Sequence, residues 1–350
     1  MRGSGLVGLD IGTSGVRAAR VTRGKNGSAL TAFAQVALPE GVVVDGEIRD
    51  PGVVSESIAQ LWKRARLRTK KAIIGVANQR VVVRQVDLPY MEEGEFRQSL
   101  RFQAADHIPM PVDAAELDFQ ILDDYTSGSE RMMRVLLVAA ATDMVQSFAG
   151  AAAAAGVETI GIDLAPFAAA RAVSATARGE LGADGAEAIV DVGAEVTNIV
   201  VHVGGEPRFV RILTLGGSDS TAALADHLGI SMDDAEALKI DLGRGIGSAV
   251  SQRVLRERVS TLVEEIRGSL AYYASSDDSQ HVESVVLTGG GSLTAGLVDQ
   301  LENALRVQIR RAQPFEDIDV SKSGLSPEQL EQIEPMAATA IGLATGAPSR

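Results

Sequence analysis

The most constraining feature of this 350-residue sequence is a weak internal duplication. Residues 9–21 read LDIGTSGVRAARV and residues 190–202 read VDVGAEVTNIVVH, which puts Asp10 and Asp191 in equivalent places, 181 positions apart. Each copy is an apolar run ending in Asp, a hydrophobic residue and Gly, then a short polar turn and a second apolar run. Apolar runs punctuated this way predict a β-hairpin. A chain that opens each half with the same hairpin is expected to fold into two related halves sharing one site.

The chemistry of that hairpin points to phosphate. Gly12, Gly15 and Gly193 let backbone N–H groups approach an anion with no Cβ in the way, and successive N–H groups in a tight turn form an anion-binding nest. The hydroxyls of Thr13, Ser14 and Thr197 can donate to phosphate oxygens. Asp10 and Asp191 would repel phosphate directly but can hold Mg²⁺ through its water shell, because hard cations take oxygen ligands and Mg²⁺ keeps several waters. Facing each other, the hairpins would clamp a polyphosphate and its metal. A third element, Val285–Ser292 (VVLTGGGS), runs a strand into Gly289, Gly290, Gly291 and Ser292 ahead of a predicted helix. Backbone without side chains can lie flat against a base or ribose, and a helix N-terminus favours phosphate. A fourth, Ala235–Lys239 (AEALK), places Glu236 and Lys239 at i, i+3 on one helical face. Gly3–Gly8 also matches G-x-G-x-x-G, but no strand precedes it and a strand rather than a helix follows, so the dinucleotide context fails.

Composition narrows the class. With 45% apolar residues the chain can build a sizeable core. It has no Cys and only four scattered His, which excludes disulfides, thiol chemistry and Cys-ligated metal. The net charge of −13 argues against nucleic-acid binding. No apolar stretch approaches the ~20 residues of a membrane-spanning helix, and Met1–Asp10 lacks signal-peptide anatomy. A cytoplasmic chain is therefore expected.

Along the chain, strands are predicted over 6–11, 16–21, 30–38, 71–77 and 81–88, with a helix over 55–67. Residues 90–160 read as a compact unit: helix 92–106, strands 116–122 and 131–141 joined by the 127–129 turn, and an alanine-rich helix N-capped by Thr142 and ended by Gly156. Strand 157–163 and helix 164–177 follow, and the Gly-rich segment 178–185 is the expected boundary. The second half reads as strands 188–191, 197–203 and 208–213, helices 219–228, 232–240 and 254–273, strand 285–288, helix 295–305, strand 307–310 and a closing helix 335–344.

Taken together, the four elements resemble the actin-superfamily ATPase signature: two phosphate loops, an adenosine motif and a nucleoside-contacting Glu/Lys pair. Within it, Val83–Pro89, His107–Pro109, Leu117–Phe119 and Glu265–Tyr273 are similar to the type IV pilus assembly (PilM) family of the FtsA-like branch. The resemblance implies an α/β, actin-like ATPase fold, with two halves around a nucleotide cleft and a small inserted α+β subdomain. Its implied divisions are 1–80 plus 161–185 (1A), 81–160 (the insert, 1C), 186–230 plus 276–350 (2A) and 231–275 (2B). Carried over, Asp10, Gly12, Thr13, Ser14, Gly15 and Arg17 form the first phosphate loop. The family often has Lys where Arg17 stands, and the planar guanidinium reaches differently. Asp191, Gly193 and Thr197 form the second loop. Gly289, Gly290, Gly291 and Ser292 face the adenosine, Gly216 and Gly217 the sugar, and Glu236 and Lys239 the ribose side. The ligands implied are ATP and Mg²⁺, the metal held through water by Asp10 and Asp191. The partner implied is the N-terminal cytoplasmic tail of a PilN-like inner-membrane protein, in a groove near Val81–Leu88 with Arg84 as a contact. Other pilus assembly proteins and a homo-oligomer also fall within the implied partners.

Hydrolysis needs a group to position the attacking water. At the junction Gly161–Phe167 only Asp163 is a polar candidate, and it also suits a helix N-cap. Slow hydrolysis is therefore expected, with ATP acting mainly as a conformational ligand. Two alternatives stand beside a pilus scaffold. An FtsA-like division protein would carry a C-terminal amphipathic membrane helix, which Leu343–Arg350 does not resemble, and a small-molecule kinase would need an acceptor-binding carboxylate in the first half.

Overall fold

The computed structural model describes residues 6–25, 27–174, 185–276 and 279–346. Gly3–Gly5, most of the Gly-rich segment expected as a boundary, and the last four residues lie outside the described residues. The predicted hairpin opens the chain as β1 (Leu6–Gly12) and β2 (Gly15–Gly24), continued by β3 (Gly27–Ala37). A small hairpin, β4 (Val43–Val44) and β5 (Glu47–Ile48), leads to α1 (Pro51–Arg64), whose first turn is capped by the Asp50 carboxylate accepting from Gly52 and Val53 N–H. β6 (Lys71–Val76) pairs parallel with β1, and β10 (Glu158–Leu164) with β6.

Between β6 and β10 the chain builds a separate three-stranded sheet from β7 (Val81–Pro89), β8 (Ala115–Ser127) and β9 (Glu130–Ala141), in the order β7-β9-β8. Helix α2 (Glu93–Ala104) covers it with Phe96 and Leu100, and Phe96 meets Phe119 edge-on at 4.7 Å between centroids. The next helix, α3 (Thr142–Ala154), corrects two expectations. Ala141, not Thr142, holds its N-cap position, and the Thr142 hydroxyl donates to Glu116 instead. Met144, Phe148 and Ala151 pack into the core of the first sheet, so the inserted sheet ends at β9 and α3 belongs with the first half.

After α4 (Ala165–Val173) the pattern repeats. β11 (Ala186–Val192), β12 (Thr197–Val203) and β13 (Glu206–Leu213) form an antiparallel meander. Helices α5 (Gly217–Leu228), α6 (Met232–Gly243) and α7 (Ala249–Ala274) follow, and β14 (Val282–Thr288) pairs parallel with β11. Helix α8 (Leu297–Leu305) leads to β15 (Gln308–Arg311), parallel to β14. The duplication is thus visible in topology: β3-β2-β1-β6-β10 and β13-β12-β11-β14-β15 have the same order, the first sheet extended by β16 (Ile318–Asp319) beside β3.

The closing helix is longer than its expected 335–344. α9 (Pro327–Thr345) starts from a Ser326/Gln329 capping box with Pro327 in the first turn, and Pro335 lies in its interior. Its Ala337, Ala340, Ile341 and Ala344 pack against Ala19, Val21 and Phe33 of the first sheet. Residues 318–345 therefore pack on the first sheet through β16 and α9, while Ala338 of α9 packs on Ile189, Val200 and Val286 of the second.

α4 and α9 cross between the two sheets at backbone distance. A Cβ on Gly342 would sit 1.7 Å from the Ala168 carbonyl, and one on Gly8 2.1 Å from Ala340 O. Alanine-rich helices make this approach feasible, since each larger side chain would push the sheets apart. Gly342→Ala is accordingly expected to destabilise the chain by at least the ~1–3 kcal/mol typical of overpacking, read as a lower denaturant midpoint at unchanged m-value.

Candidate functional site

The two hairpins meet at a cleft of about 400 Å³ between the halves. Register explains which side chains reach it. Asp10 pairs with Arg17 across the first hairpin and Asp191 with Asn198 across the second. Cross-strand partners share a sheet face, so all four border the cleft. Thr197 pairs with Val192 on the opposite face, is fully buried and donates its hydroxyl to Leu215 O at 2.7 Å. Thr197 is thus outside the cleft lining, and Asn198, which the sequence reading missed, borders the cleft. The 181-residue offset maps Asn198 onto Arg17 and was the available signal.

Two buried carboxylates set the electrostatics of the cleft. Burial raises the Asp10 carboxyl above its usual range, an effect partly offset by Arg17, whose Nη1 donates to Asp10 Oδ2 at 3.3 Å. Burial, and then the neighbouring Asp10 charge, push Asp191 up to about 6, against the opposing pull of Arg17, Asn198 and Thr339. Arg17 also donates to Ser14 Oγ at 3.3 Å, so its guanidinium folds back over its own loop. Of the described residues that line the cleft, two carry a buried polar atom without a partner, Arg17 Nε and Asn198 Oδ1. Two oxygen-donor carboxylates beside a hydroxyl-bearing loop fit a Mg²⁺ ion that keeps waters and phosphate oxygens in its shell, which needs no all-protein cage. No cluster of three or more His, Cys, Asp or Glu stands ready for a metal among the described residues.

Of the expected loop residues, Gly12, Thr13 and Ser14 line the cleft, whereas Gly15 lies against β3, where a Cβ would meet Val36 O at 2.6 Å. Gly193, Gly217, Gly289, Gly290 and Gly291 line it too. Packing within the second half gives glycine at 289 and 291 a reason of its own. Gly289 has φ +84, and a Cβ there would strike Val192 O at 2.3 Å; one on Gly291 would strike Val192 Cγ1 at 2.5 Å. Gly289 and Gly291 are pressed against the second hairpin, and so is Gly216, outside the cleft lining, where a Cβ would lie 2.4 Å from Ala194 O. The strand then enters a single 3₁₀ turn over 290–293 rather than a helix directly. Ser292 points inward, donating to Gly289 O at 2.6 Å. Glu236 and Lys239 line the cleft as an ion pair at 2.7 Å, with Lys239 also bonded to Gly217 O and Thr221 Oγ1.

Asp163 is not brought to the cleft lining and is not the N-cap of α4, a position held by Leu164. Its carboxylate accepts from Leu164 N–H and from Arg171 Nη1 at 3.0 Å, and Arg171 also donates to Gly342 O at 2.7 Å. It ties α4 to α9. Arg84 is exposed on edge strand β7, with no ion-pair partner among the described residues. At the cleft front Asp45 N–H donates to Glu195 at 2.8 Å and Gln79 to Thr214 at 3.0 Å, bridging the halves. No helix among the described residues is long and apolar enough to cross a membrane.

Two sheets of one topology around a shared cleft define an actin-like fold, and solved structures agree. EutJ, an ethanolamine utilization protein from Carboxydothermus hydrogenoformans, is 18% identical over 97% of this chain and 88% of its own, at a TM-score of 0.57. MreB5 of Spiroplasma citri bound to ADP is 13% identical over 88% and 92%, at 0.51. A PilM–PilN type IV pilus biogenesis complex is far more similar: 30% identity, 98% of each chain and a TM-score of 0.85. The family model for type IV pilus assembly protein PilM matches residues 8–347, and the chain belongs to that family. Among curated relatives, the cell division protein FtsA of Neisseria meningitidis is 27% identical over 72% of this chain and 67% of its own length. FtsA of Escherichia coli K12 is 24% identical over 62% of this chain and 56% of its own length.

The Asp191 shift has a stability consequence. With a folded-state pKa of about 6 against an unperturbed 3.8, the folded chain holds the proton more tightly than the unfolded one. Stability from this group therefore falls as pH rises from about 4 to 6 and stays low above. In nucleotide-free, metal-free protein, Asp191→Asn is expected to stabilise by up to about 3 kcal/mol at pH 7.5, with the gain vanishing near pH 4, as read by urea unfolding across pH.

Proposed function

We propose that this chain binds ATP with Mg²⁺ between its halves and serves as a scaffold of the type IV pilus machinery. In that role it captures the N-terminal cytoplasmic tail of a PilN-like membrane protein, which holds it at the inner face of the membrane. The carrying observation is the pair of facing carboxylates, Asp10 and Asp191, whose shared negative field asks for a cation. The hydroxyls of Thr13 and Ser14 and the amide of Asn198 would position phosphate oxygens, and Arg17 would balance charge beside them. Bound Mg²⁺ would supply the charge neutralisation that lets a triphosphate sit between two carboxylates. The solved PilM–PilN complex supports the partner reading, and Arg84 on the β7 edge is the proposed contact.

Slow turnover is part of the proposal. Asp163 is engaged by Arg171 and stands outside the cleft lining, which leaves no carboxylate of the α4 junction to orient water. ATP is expected to bind in equilibrium dialysis yet turn over more slowly than about one per second, and Asp163→Asn is expected to leave that rate within about twofold. Arg84→Glu is expected to weaken a synthetic tail peptide about tenfold, the worth of one charge-assisted hydrogen bond, with ATP affinity unchanged. Fast turnover abolished by Asp163→Asn would contradict the scaffold reading, and unaltered peptide affinity would remove Arg84 from the contact.

A further inference from the structure

A second cavity, of about 360 Å³, shares no lining residue with the cleft between the hairpins. Its volume is that of a small-molecule site. Phe167 and Arg171 of α4, and Ser174 at its C-cap, form one side. Their i, i+4, i+7 spacing is a single helix face. The second half adds His202 from β12 and Pro207 from β13, and β8 of the inserted sheet adds Gln120. Three separate parts of the chain therefore enclose one space.

A buried polar network stands behind His202, which is 1% exposed. Glu187 pairs with His202 across β11–β12 and with Ser284 across β11–β14, so the three share one face of the second sheet. The fully buried Glu187 carboxylate accepts from His202 Nε2 at 3.2 Å, Ser284 Oγ at 3.2 Å and Arg310 Nη2 at 3.0 Å. A carboxylate ion-paired to Arg310 only accepts, which puts the ring hydrogen of His202 on Nε2. Nδ1 of the neutral ring is then an acceptor, and it is buried without a partner. A buried acceptor left without a donor costs free energy, and this one belongs to a ring that borders the cavity. Among the described residues lining the cavity, Arg171 carries the one formal charge, and Asp163 is paired with it at 3.0 Å.

We infer that this cavity binds a neutral, ring-sized molecule whose O–H or N–H group donates to His202 Nδ1. Phe167 and Pro207 supply apolar surface for the body of such a ligand. The wall offers an ionic ligand no uncompensated charge, so a carboxylate or ammonium would lose its hydration for little return. The site is independent of the nucleotide reading, since the cavity and the cleft have separate linings.

The test uses phenol as the probe, beside anisole, which lacks the donor, and benzoate, which adds a charge. The readout is the ¹⁵N spectrum of the histidine-labelled full chain at neutral pH. The chain has four His, and the His202 signals are identified by their loss in His202→Gln, whose amide keeps a donor for Glu187. The free protein is expected to show His202 Nδ1 without a proton. Phenol is expected to move that signal saturably, with anisole and benzoate at least about tenfold weaker, the worth of one hydrogen bond. Gln120→Trp, at an exposed lining position, is expected to fill the cavity and weaken phenol about tenfold or more at unchanged melting temperature. A protonated Nδ1 in the free protein, no phenol binding, binding that leaves the His202 signal unmoved or survives Gln120→Trp, or anisole or benzoate held as tightly as phenol would each overturn the inference.

Discussion

Two carboxylates facing one shielded cleft cannot both hold their charge cheaply unless a cation stands between them, and the rest of this structure depends on that constraint. Asp10 and Asp191 come from different halves of the chain, and each is placed by the same strand register. Arg17 offsets part of their field but is drawn back onto Asp10 and Ser14. The charge at the cleft floor is thus balanced only in part by the protein. A cation that arrives with a polyphosphate would complete it, and would join the halves by doing so.

Everything around the cleft serves to bring the hairpins together. Gly289, Gly291 and Gly216 allow the loops of the second half to close on its own hairpin at backbone distance. Gly342 and Gly8 do the same for the central helices and the first sheet. Arg171 links Asp163 to the Gly342 carbonyl, so the strand-to-helix junction is braced against α9. Thr339 of that helix in turn donates to Asp191 at 3.3 Å. A continuous path of contacts therefore runs from Asp191 through Thr339 of α9 to the crossing of α4 and α9.

The sequence revealed the plan better than the faces. The repeated hairpin was legible because the same pattern, an apolar run into Asp, a hydrophobic residue and Gly and then a second apolar run, recurs 181 residues on, and the two sheets match in strand order. Thr197 was misread because residue type was weighed above alternation: it neighbours Asn198 and so points to the other face. Glycines 289 and 291 were recognised but explained by a ligand, when contact with Val192 already requires them. α3 was assigned to the insert because it follows β9 in sequence, and only packing shows Phe148 in the first core. The start of α9 was written in Ser326–Gln329, but Pro335 drew the boundary eight residues late.

The central claim, one cation shared through nucleotide by two hairpins, is tested most directly with Mn²⁺ in place of Mg²⁺. Electron paramagnetic resonance would count Mn²⁺ bound to the full chain, to Asp10→Asn and to Asp191→Asn, with and without ATP. The account predicts a Mn²⁺ site that appears only with nucleotide and is weakened by about tenfold or more by either substitution. Mn²⁺ held equally well by both variants would contradict it.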